Sequence, residues 1–374
     1  MDKHFIHTHW SLFLIFSSVG LLPLSLDKHS FHVKESIGKI LYWVAIFIVI
    51  NSICFYQFRY HSLTGNWNGL VVKFSEWCVL ILIVTDLSCT LIQALLSRHT
   101  HKLLLNDMDI TDFIIYNKYT IQRTDRKVKH YTMLKLLFLE GIWLILSILK
   151  FLNLKDQMVM IQETLMSIPI CWLTNVRLVM QTFYIDLITE RLTTINGELE
   201  LFGNINIDPK FTKIDQHNYR EAVVKVQDTY TRIWKCFMII NGIFGWSTVL
   251  LVMKQFVLLI ATSFWCINRQ KSINDDGSTY LESCTVIIYI VSSLSFLCHS
   301  AATCKKEASK TAEALLKPEY NYEDLDIRDF LAQMQHQPFI TTANGFFDID
   351  YGLLGSTLAT TVTYIVIMLQ LEEN

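Results

Sequence analysis

Charged residues are scarce in this 374-residue sequence. Asp, Glu, Lys and Arg make up 18% of it and hydrophobic residues 52%, whereas a soluble domain carries about 25% charge. A charge deficit of this kind indicates that lipid solvates much of the surface. Proline (5) and glycine (13) are also few, which favours long helices and argues against a β-barrel or disorder.

The motifs of common cofactor chemistry are missing as well. There is no GxxxxGK[ST] loop, no GxGxxG, no HExxH and no paired CxxC, and the nine cysteines lack metal-ligand spacing. The histidines form no recognisable catalytic constellation. The formal net charge of −2 gives no basic surplus for nucleic acid. We therefore predict no enzyme activity, no cofactor, no metal and no nucleic-acid partner.

Long apolar runs predict an all-α, polytopic membrane protein with seven transmembrane helices. A helix needs about 20 apolar residues to cross about 30 Å of hydrocarbon. The seven runs that meet this length are Ile40–Phe58, Trp77–Leu96, Leu134–Leu152, Leu165–Leu187, Cys236–Trp265, Cys284–Ala302 and Leu353–Leu371.

An eighth apolar run, Trp10–Leu26, is shorter and is broken by Gly20 and Pro23. Lys3 precedes it, as in a signal peptide, but no clear cleavage site follows. We interpret it as an interfacial or half-embedded helix, with a cleaved signal as the alternative.

The distribution of Lys and Arg predicts the orientation. With an intracellular N-terminus and seven spans, the inner segments hold 23 basic residues and the outer segments hold 5. Basic residues concentrate on the cytoplasmic side, so we expect an intracellular N-terminus and an extracellular C-terminus. The inner segments are also long, and we expect the helices to extend into the cytoplasm.

The last span carries one polar stripe. Ser356, Thr360, Thr363, Ile367 and Gln370 recur at intervals of four, three, four and three residues, so they share a helix face. Such a stripe either hydrogen-bonds a neighbouring helix or lines water, and spacing alone leaves both readings open.

The end of the chain resembles the insect gustatory receptors, seven-span chemoreceptors related to the insect odorant receptors. Thr363 to Gln370 fits that family's Thr-Tyr, five hydrophobics, Gln pattern, and Phe339 to Phe347 looks like its lead into the last helix. The similarity is specific over about the last 70 residues. Leu371 departs from the Phe that is usual after the motif.

The resemblance implies a plasma-membrane, ligand-gated, non-selective cation channel for taste. It implies a tetramer of identical or related subunits, whose last helices surround a pore gated near Ile367, Gln370 and Leu371. It also implies one domain over 1–374, with an outer-half ligand bundle from spans two to six (77–302), then a cytoplasmic anchor and a pore helix (303–371). Ile365 replaces the Glu of sugar receptors, so bitter-type small molecules are the default tastants.

Charged and aromatic residues within the spans are candidates for a ligand pocket, because a charge in the bilayer costs about 2.5–3.5 kcal/mol on insertion scales. The alternative is intramembrane pairing that fixes helix packing. Cys266 and Cys284 flank an outer loop and either form a disulfide or remain free. Tyr364 lies off the stripe, and we expect it to pack against another helix, such as the fifth span. The charged candidates are Asp86, Glu140, Arg177 and Lys254, and the aromatic ones are Trp143, Trp172 and Tyr289.

Two rival functions are weaker. A G-protein-coupled receptor has seven helices, but the Asp/Glu-Arg-Tyr and Asn-Pro-x-x-Tyr motifs are missing and the charge distribution inverts the topology. A transporter predicts paired internal repeats, and none is visible.

Overall fold

The structure is a computed structural model that describes residues 4–26, 33–64, 70–118, 125–152, 157–206, 213–270, 277–316 and 325–373. The described residues form eleven helices and one short strand pair. They are α1 (His4–Thr8), α2 (Trp10–Ser18), β1 (Ser25–Leu26), β2 (Val33–Lys34), α3 (Ile37–Thr64), α4 (Leu70–Leu96), α5 (Arg98–Lys118), α6 (Asp125–Leu152), α7 (Gln157–Asn206), α8 (Lys213–Gln270), α9 (Gly277–Leu315), α10 (Leu325–His336) and α11 (Tyr351–Glu373).

The all-α prediction is confirmed, with one small addition. The strands β1 and β2 pair antiparallel over two residues each, with Ser25 opposite Lys34. This pair closes the connection between α2 and α3. It leaves the architecture a helical bundle.

Hydropathy selects six of the helices as long and apolar enough to cross a membrane. The stretches are Ile37–Gln57, Phe74–Leu96, Lys127–Leu149, Val223–Ile267, Tyr280–Leu315 and Tyr351–Leu371. The predicted fourth span, Leu165–Leu187, lies within α7, which this criterion does not select. Its polar residues Asn175, Arg177 and Gln181 are buried, so they face the bundle interior. Helix α7 thus completes the seven spans.

Three helices are much longer than a bilayer is thick. At 1.5 Å per residue, the 50 residues of α7 and the 58 of α8 extend about 75 and about 87 Å. The 39 residues of α9 extend about 58 Å, against about 30 Å of hydrocarbon. All three project at the same end of the bundle, because α7 and α9 continue past their spans and α8 begins before its span.

We call this projecting part the anchor layer. It consists of α5, α10, and residues 188–206 of α7, 213–235 of α8 and 303–315 of α9. Buried ion pairs hold it together. Arg191 donates from Nε and Nη2 to the two carboxylate oxygens of Asp112, both at 2.8 Å. Beside the layer, Lys135 contacts Asp186 at 2.6 Å and donates to Ser300 at 2.9 Å.

The N-terminal segment packs inside the protein. Phe5, Phe13 and Phe16 have no exposed surface, and Phe13 and Phe16 contact the ring of Phe183 on α7. The nine residues of α2 are too few to cross a membrane. Leu14, by contrast, is 50% exposed, so α2 packs on the bundle with one face and presents the other face outward.

The chain turns sharply before the last helix. Asn344 (φ 51°) and Gly345 (φ 78°) both take left-handed backbone conformations, and Ala343 N–H donates to Phe347 O at 3.0 Å. The turn lies against α8, where Asn344 fits over Gly245: a Cβ added at Gly245 would lie 3.2 Å from Asn344 Cβ and Oδ1. The connection to α11 is thereby fixed to the fifth span.

Candidate functional site

The last helix is the least buried of the six spans that hydropathy selects. Only 11% of its selected stretch is buried, against 56% for α8. Thr357 and Thr361 form its buried face, with 7% and 4% exposure. Both hydroxyls donate to backbone carbonyls one turn back, at 2.7 Å. This face packs against α8, α9 and α4.

The predicted polar stripe lies on the other side of α11. Every member of the set is exposed on the single chain: Ser356, Thr360, Thr363, Ile367, Gln370 and Leu371. Thr360 and Thr363 therefore belong to a different face from Thr357 and Thr361. The hydroxyls of Ser356 and Thr363 donate to backbone carbonyls of α11 itself, at 3.0 and 3.4 Å. Hydrogen bonding to a neighbouring helix and lining of water both stay open as readings of the stripe.

The first turn of α11 is well anchored. Asp350 accepts from the backbone N–H of Leu353 at 3.1 Å, as an N-cap does. Tyr351 hydroxyl lies 2.7 Å from His299 Nδ1 on α9. Farther along, the Tyr364 ring meets Phe256 of α8 edge-on, with centroids 6.0 Å apart. The motif tyrosine therefore contacts the fifth span, as expected from its place off the stripe.

Two of the charged candidates pair with each other. Lys254 Nζ on α8 lies 2.5 Å from Asp86 Oδ2 on α4, and both residues are buried, at 6% and 2% exposure. The pair ties the second span to the fifth. For these two residues the structure favours intramembrane pairing over a ligand pocket.

A second polar network joins α6, α7 and α9. Asn175 Nδ2 donates to Glu140 Oε1 at 2.9 Å, and its carbonyl accepts from the Tyr289 hydroxyl at 2.7 Å. Asn175 is the centre of the network and is completely buried. Glu140 and Tyr289 were predicted as candidates from the sequence, whereas Asn175 was not, since an amide in a span gives no signal of its partners.

Arg177 is buried between α7 and α8. Its Nη2 donates to Ser247 Oγ and Thr248 Oγ1, both at 2.8 Å. The guanidinium also lies 6.0 Å from the centre of the Phe244 ring. Nε and Nη1 are without hydrogen-bond partners in the part of the chain that the structure describes.

The aromatic candidates lie apart from these networks. Trp172 lines a groove of about 410 Å³ between α3 and α7, with Tyr42 and Pro169 also in its wall. Trp143 is half-buried on α6. A second cavity contains Arg177, and neither cavity contains another of the five predicted ligand residues. The structure therefore does not gather Trp143, Trp172, Arg177, Lys254 and Tyr289 around either cavity.

Cys266 and Cys284 face each other across the ends of α8 and α9. Both are free thiols, and their side chains are in hydrogen-bond contact. Among the described residues, no group of His, Cys, Asp and Glu could hold a metal ion.

His101 at the start of α5 escaped the sequence analysis. It is 2% exposed, and burial lowers its pKa to about 4, so the ring is neutral at physiological pH. Its Nδ1 has no hydrogen-bond partner among the described residues. In the sequence, His101 lies beside other histidines in a predicted loop, and nothing in that pattern indicates that its side chain is buried beneath the spans.

The family model of the 7tm chemosensory receptors matches residues 10–374. The chain belongs to this family. It is therefore a multi-pass membrane receptor and not an enzyme, as the sequence analysis predicted.

Individual relatives agree with this assignment. The chain is 25% identical to Gustatory receptor 23a of Drosophila melanogaster over 167 residues, covering 43% of each protein. It is 32% identical over 149 residues to isoform D of the Drosophila Gustatory and pheromone receptor 39a, covering 38% of this chain and 39% of that one. The matched stretches thus span about two-fifths of these curated relatives.

Solved structures confirm the seven-span fold of the receptor. The insect olfactory receptor OR5 from Machilis hrabei superimposes with a TM-score of 0.69 over 99% of this chain, at 13% identity. Its complex with eugenol gives a TM-score of 0.64 over the same share of the chain. At this identity the likeness concerns the fold.

Proposed function

We propose that the receptor is a gustatory channel subunit of the plasma membrane, in which tastant binding opens a non-selective cation pore. The last helices of four subunits, identical or related, surround the pore. The N-terminus is intracellular, the anchor layer is cytoplasmic, and the C-terminus is extracellular, as the distribution of Lys and Arg indicates. The chain acts as one domain over 1–374.

The exposed stripe of α11 carries this proposal. Hydroxyl and amide groups in contact with hydrocarbon lose hydrogen bonds to water, so polar positions of membrane helices face protein or a water-filled cavity. On the single chain, Thr360, Thr363 and Gln370 are exposed. A ring of subunits around an aqueous pore satisfies these groups and also covers the rest of the sparsely buried helix.

The order of residues along the stripe suits a gated pore. Ile367 and Leu371, 42% and 61% exposed, would form apolar rings that block ions by dewetting when the helices approach. Gln370 lies between them in sequence, where four amide oxygens would coordinate a partly dehydrated cation once the rings widen. Ser356, Thr360 and Thr363 would keep the inner pore wet.

The ligand site is proposed for the outer half of the spans, within 77–302. The network of Glu140, Asn175 and Tyr289 offers a polar floor there, and the half-buried Trp143 and Trp172 offer apolar walls. Arg177 and Lys254 would act through helix packing, because both already contact neighbouring helices.

Three similar proteins support a small organic ligand. The names of the Drosophila proteins describe gustatory and pheromone receptors, and OR5 has been solved in complex with eugenol. Because Ile365 stands where sugar receptors carry Glu, bitter-type small molecules are the first tastants to test.

The decisive experiment records current from cells that express the chain alone. Tastant-evoked cation current that survives blockade of G proteins supports the channel. A response that depends wholly on G proteins would establish the rival seven-helix receptor mechanism instead.

The stripe is tested by substituting Ile367→Cys, Gln370→Cys and Leu371→Cys and applying a membrane-impermeant thiol reagent from outside. We expect block of the current at each position. The matched control is Thr357→Cys, on the buried face, which should not react. Unchanged current at all three stripe positions would refute the pore-lining assignment.

A further inference from the structure

An unusual positive charge lies inside the bundle at Arg177. The residue is 2% exposed, and a guanidinium stays protonated in proteins. Its polar contacts are the hydroxyls of Ser247 and Thr248, at 2.8 Å each, and the carbonyl of Phe244, at 3.5 Å. No carboxylate pairs with it within the described ranges. Nε and Nη1 have no partner there either.

A small cavity adjoins this guanidinium. It measures about 20 Å³ and lies where α4, α5, α7 and α8 meet. Its polar lining is Thr90, Ser97, His101, Arg177 and Ser247. One water molecule needs at least about 10–15 Å³ of such space, so the cavity accommodates a single small occupant.

The charges around the cavity do not balance. Asp86 is nearby, but its carboxylate is already paired with Lys254. His101 is neutral because burial lowers its pKa to about 4. Among the described residues at this junction, the buried cations Arg177 and Lys254 therefore share the buried anion Asp86, and an uncompensated charge in a low-dielectric interior is costly. A water molecule would solvate Arg177 without removing this excess.

The donors at the cavity match an anion. Arg177 presents two nitrogens without described partners, Nε and Nη1, and His101 Nδ1, also without a described partner, donates when it carries the ring proton. The hydroxyl of Thr90 is a further donor in the wall. We propose that this cavity binds one small monovalent anion, of the halide class, which neutralises Arg177 and joins the turn between α4 and α5 to α7 and α8.

The test uses the full-length receptor in nanodiscs of zwitterionic lipid. Thermal unfolding is followed in sodium chloride, bromide and gluconate at matched ionic strength, with binding of radiolabelled chloride measured in parallel. Anything that binds the folded state alone raises its stability. We expect a Tm several degrees higher in either halide than in gluconate, saturating with concentration, and one displaceable chloride per chain.

Variants locate the effect. Arg177→Gln should abolish both the halide-dependent Tm shift and chloride binding. Thr90→Val keeps the side-chain shape and should weaken chloride binding several-fold, which keeps the test open if Arg177→Gln does not fold. Arg232→Gln, which alters an exposed cation, should change neither measurement.

Equal Tm values in chloride and gluconate would mean that the cavity holds only water, and would overturn the proposal. Chloride binding that is unchanged in both Arg177→Gln and Thr90→Val would place the ion elsewhere and overturn it equally.

Discussion

The ion pair between Asp86 and Lys254 allows a quantitative test of what a buried charge in this receptor does. We consider Lys254→Met, which nearly preserves side-chain volume, and Asp86→Asn. At 2.5 Å, two unit charges attract by about 7 kcal/mol for an effective dielectric constant of about 20. Much of this attraction is offset by the cost of burying both charges.

Removing one partner leaves the other buried without compensation. This typically costs about 3–5 kcal/mol. Asp86 Oδ1 already lacks a hydrogen-bond partner in the described part of the chain, so the carboxylate that remains in Lys254→Met keeps only its electrostatic attraction to Arg177. We expect the Tm of either single variant to fall by about 6–10 °C, taking about 2 °C per kcal/mol.

The double variant Asp86→Asn/Lys254→Met should be more stable than either single variant, because neither member of the pair is left charged without the other. Thermal unfolding in nanodiscs and surface expression would measure the coupling, which we expect to be about 2 kcal/mol or more. Ligand response should persist in the double variant if the pair only fixes packing. Equal Tm values for Lys254→Met and the double variant would refute the pairing argument. A folded double variant without ligand response would return Lys254 to the ligand site.

Two further predictions concern the turn before α11 and the residue below the spans. Gly245→Ala should be less stable than the control Gly242→Ala by about 1–3 kcal/mol and should reduce tastant-evoked current. A Cβ at Gly245 would meet Asn344 at 3.2 Å, and the left-handed turn holds Asn344 in place, whereas a Cβ at Gly242 meets nothing within 4 Å. Equal Tm values for the two variants would contradict this. Protonation of His101 favours the unfolded chain, because its pKa is about 4 in the folded protein and 6.5 otherwise. The free energy of unfolding in a chloride-free buffer should therefore fall by up to about 3 kcal/mol as the pH drops from 6.5 to 4. His101→Gln should flatten this part of the dependence of stability on pH, and an unchanged dependence would contradict the role given to His101.

Local sequence signals predicted the seven spans well because lipid imposes a length and a composition on each helix separately. Helix α7 shows the limit of that reasoning. Asn175, Arg177 and Gln181 lower its hydropathy, yet their side chains face the bundle interior, where neighbouring helices supply hydrogen bonds. A composition window averages over both faces of a helix and does not register which face each residue occupies.

The interior networks could not be predicted, because their members are distant in sequence. Arg177 donates hydrogen bonds to Ser247 and Thr248, which lie 70 and 71 positions away in sequence. Lys254 pairs with Asp86, which lies 168 positions away. The sequence analysis recognised that charges in spans need partners, but a single sequence carries no information on which helices are neighbours. The prediction that five residues of the spans line one ligand pocket also lacked this information on which helices are neighbours.

The last helix combines a fixed half with a sparsely packed half. Its first turn is capped by Asp350, and its buried positions end at Thr361; the described side chains from Val362 to Leu371 are all half-buried or exposed. The predicted gate residues thus lie on the segment that its own chain holds least. A gate whose position depended on one subunit's core would need tight packing there. A gate formed by several subunits needs each copy to leave those residues uncovered, and this is the arrangement that the thiol-reagent experiment addresses.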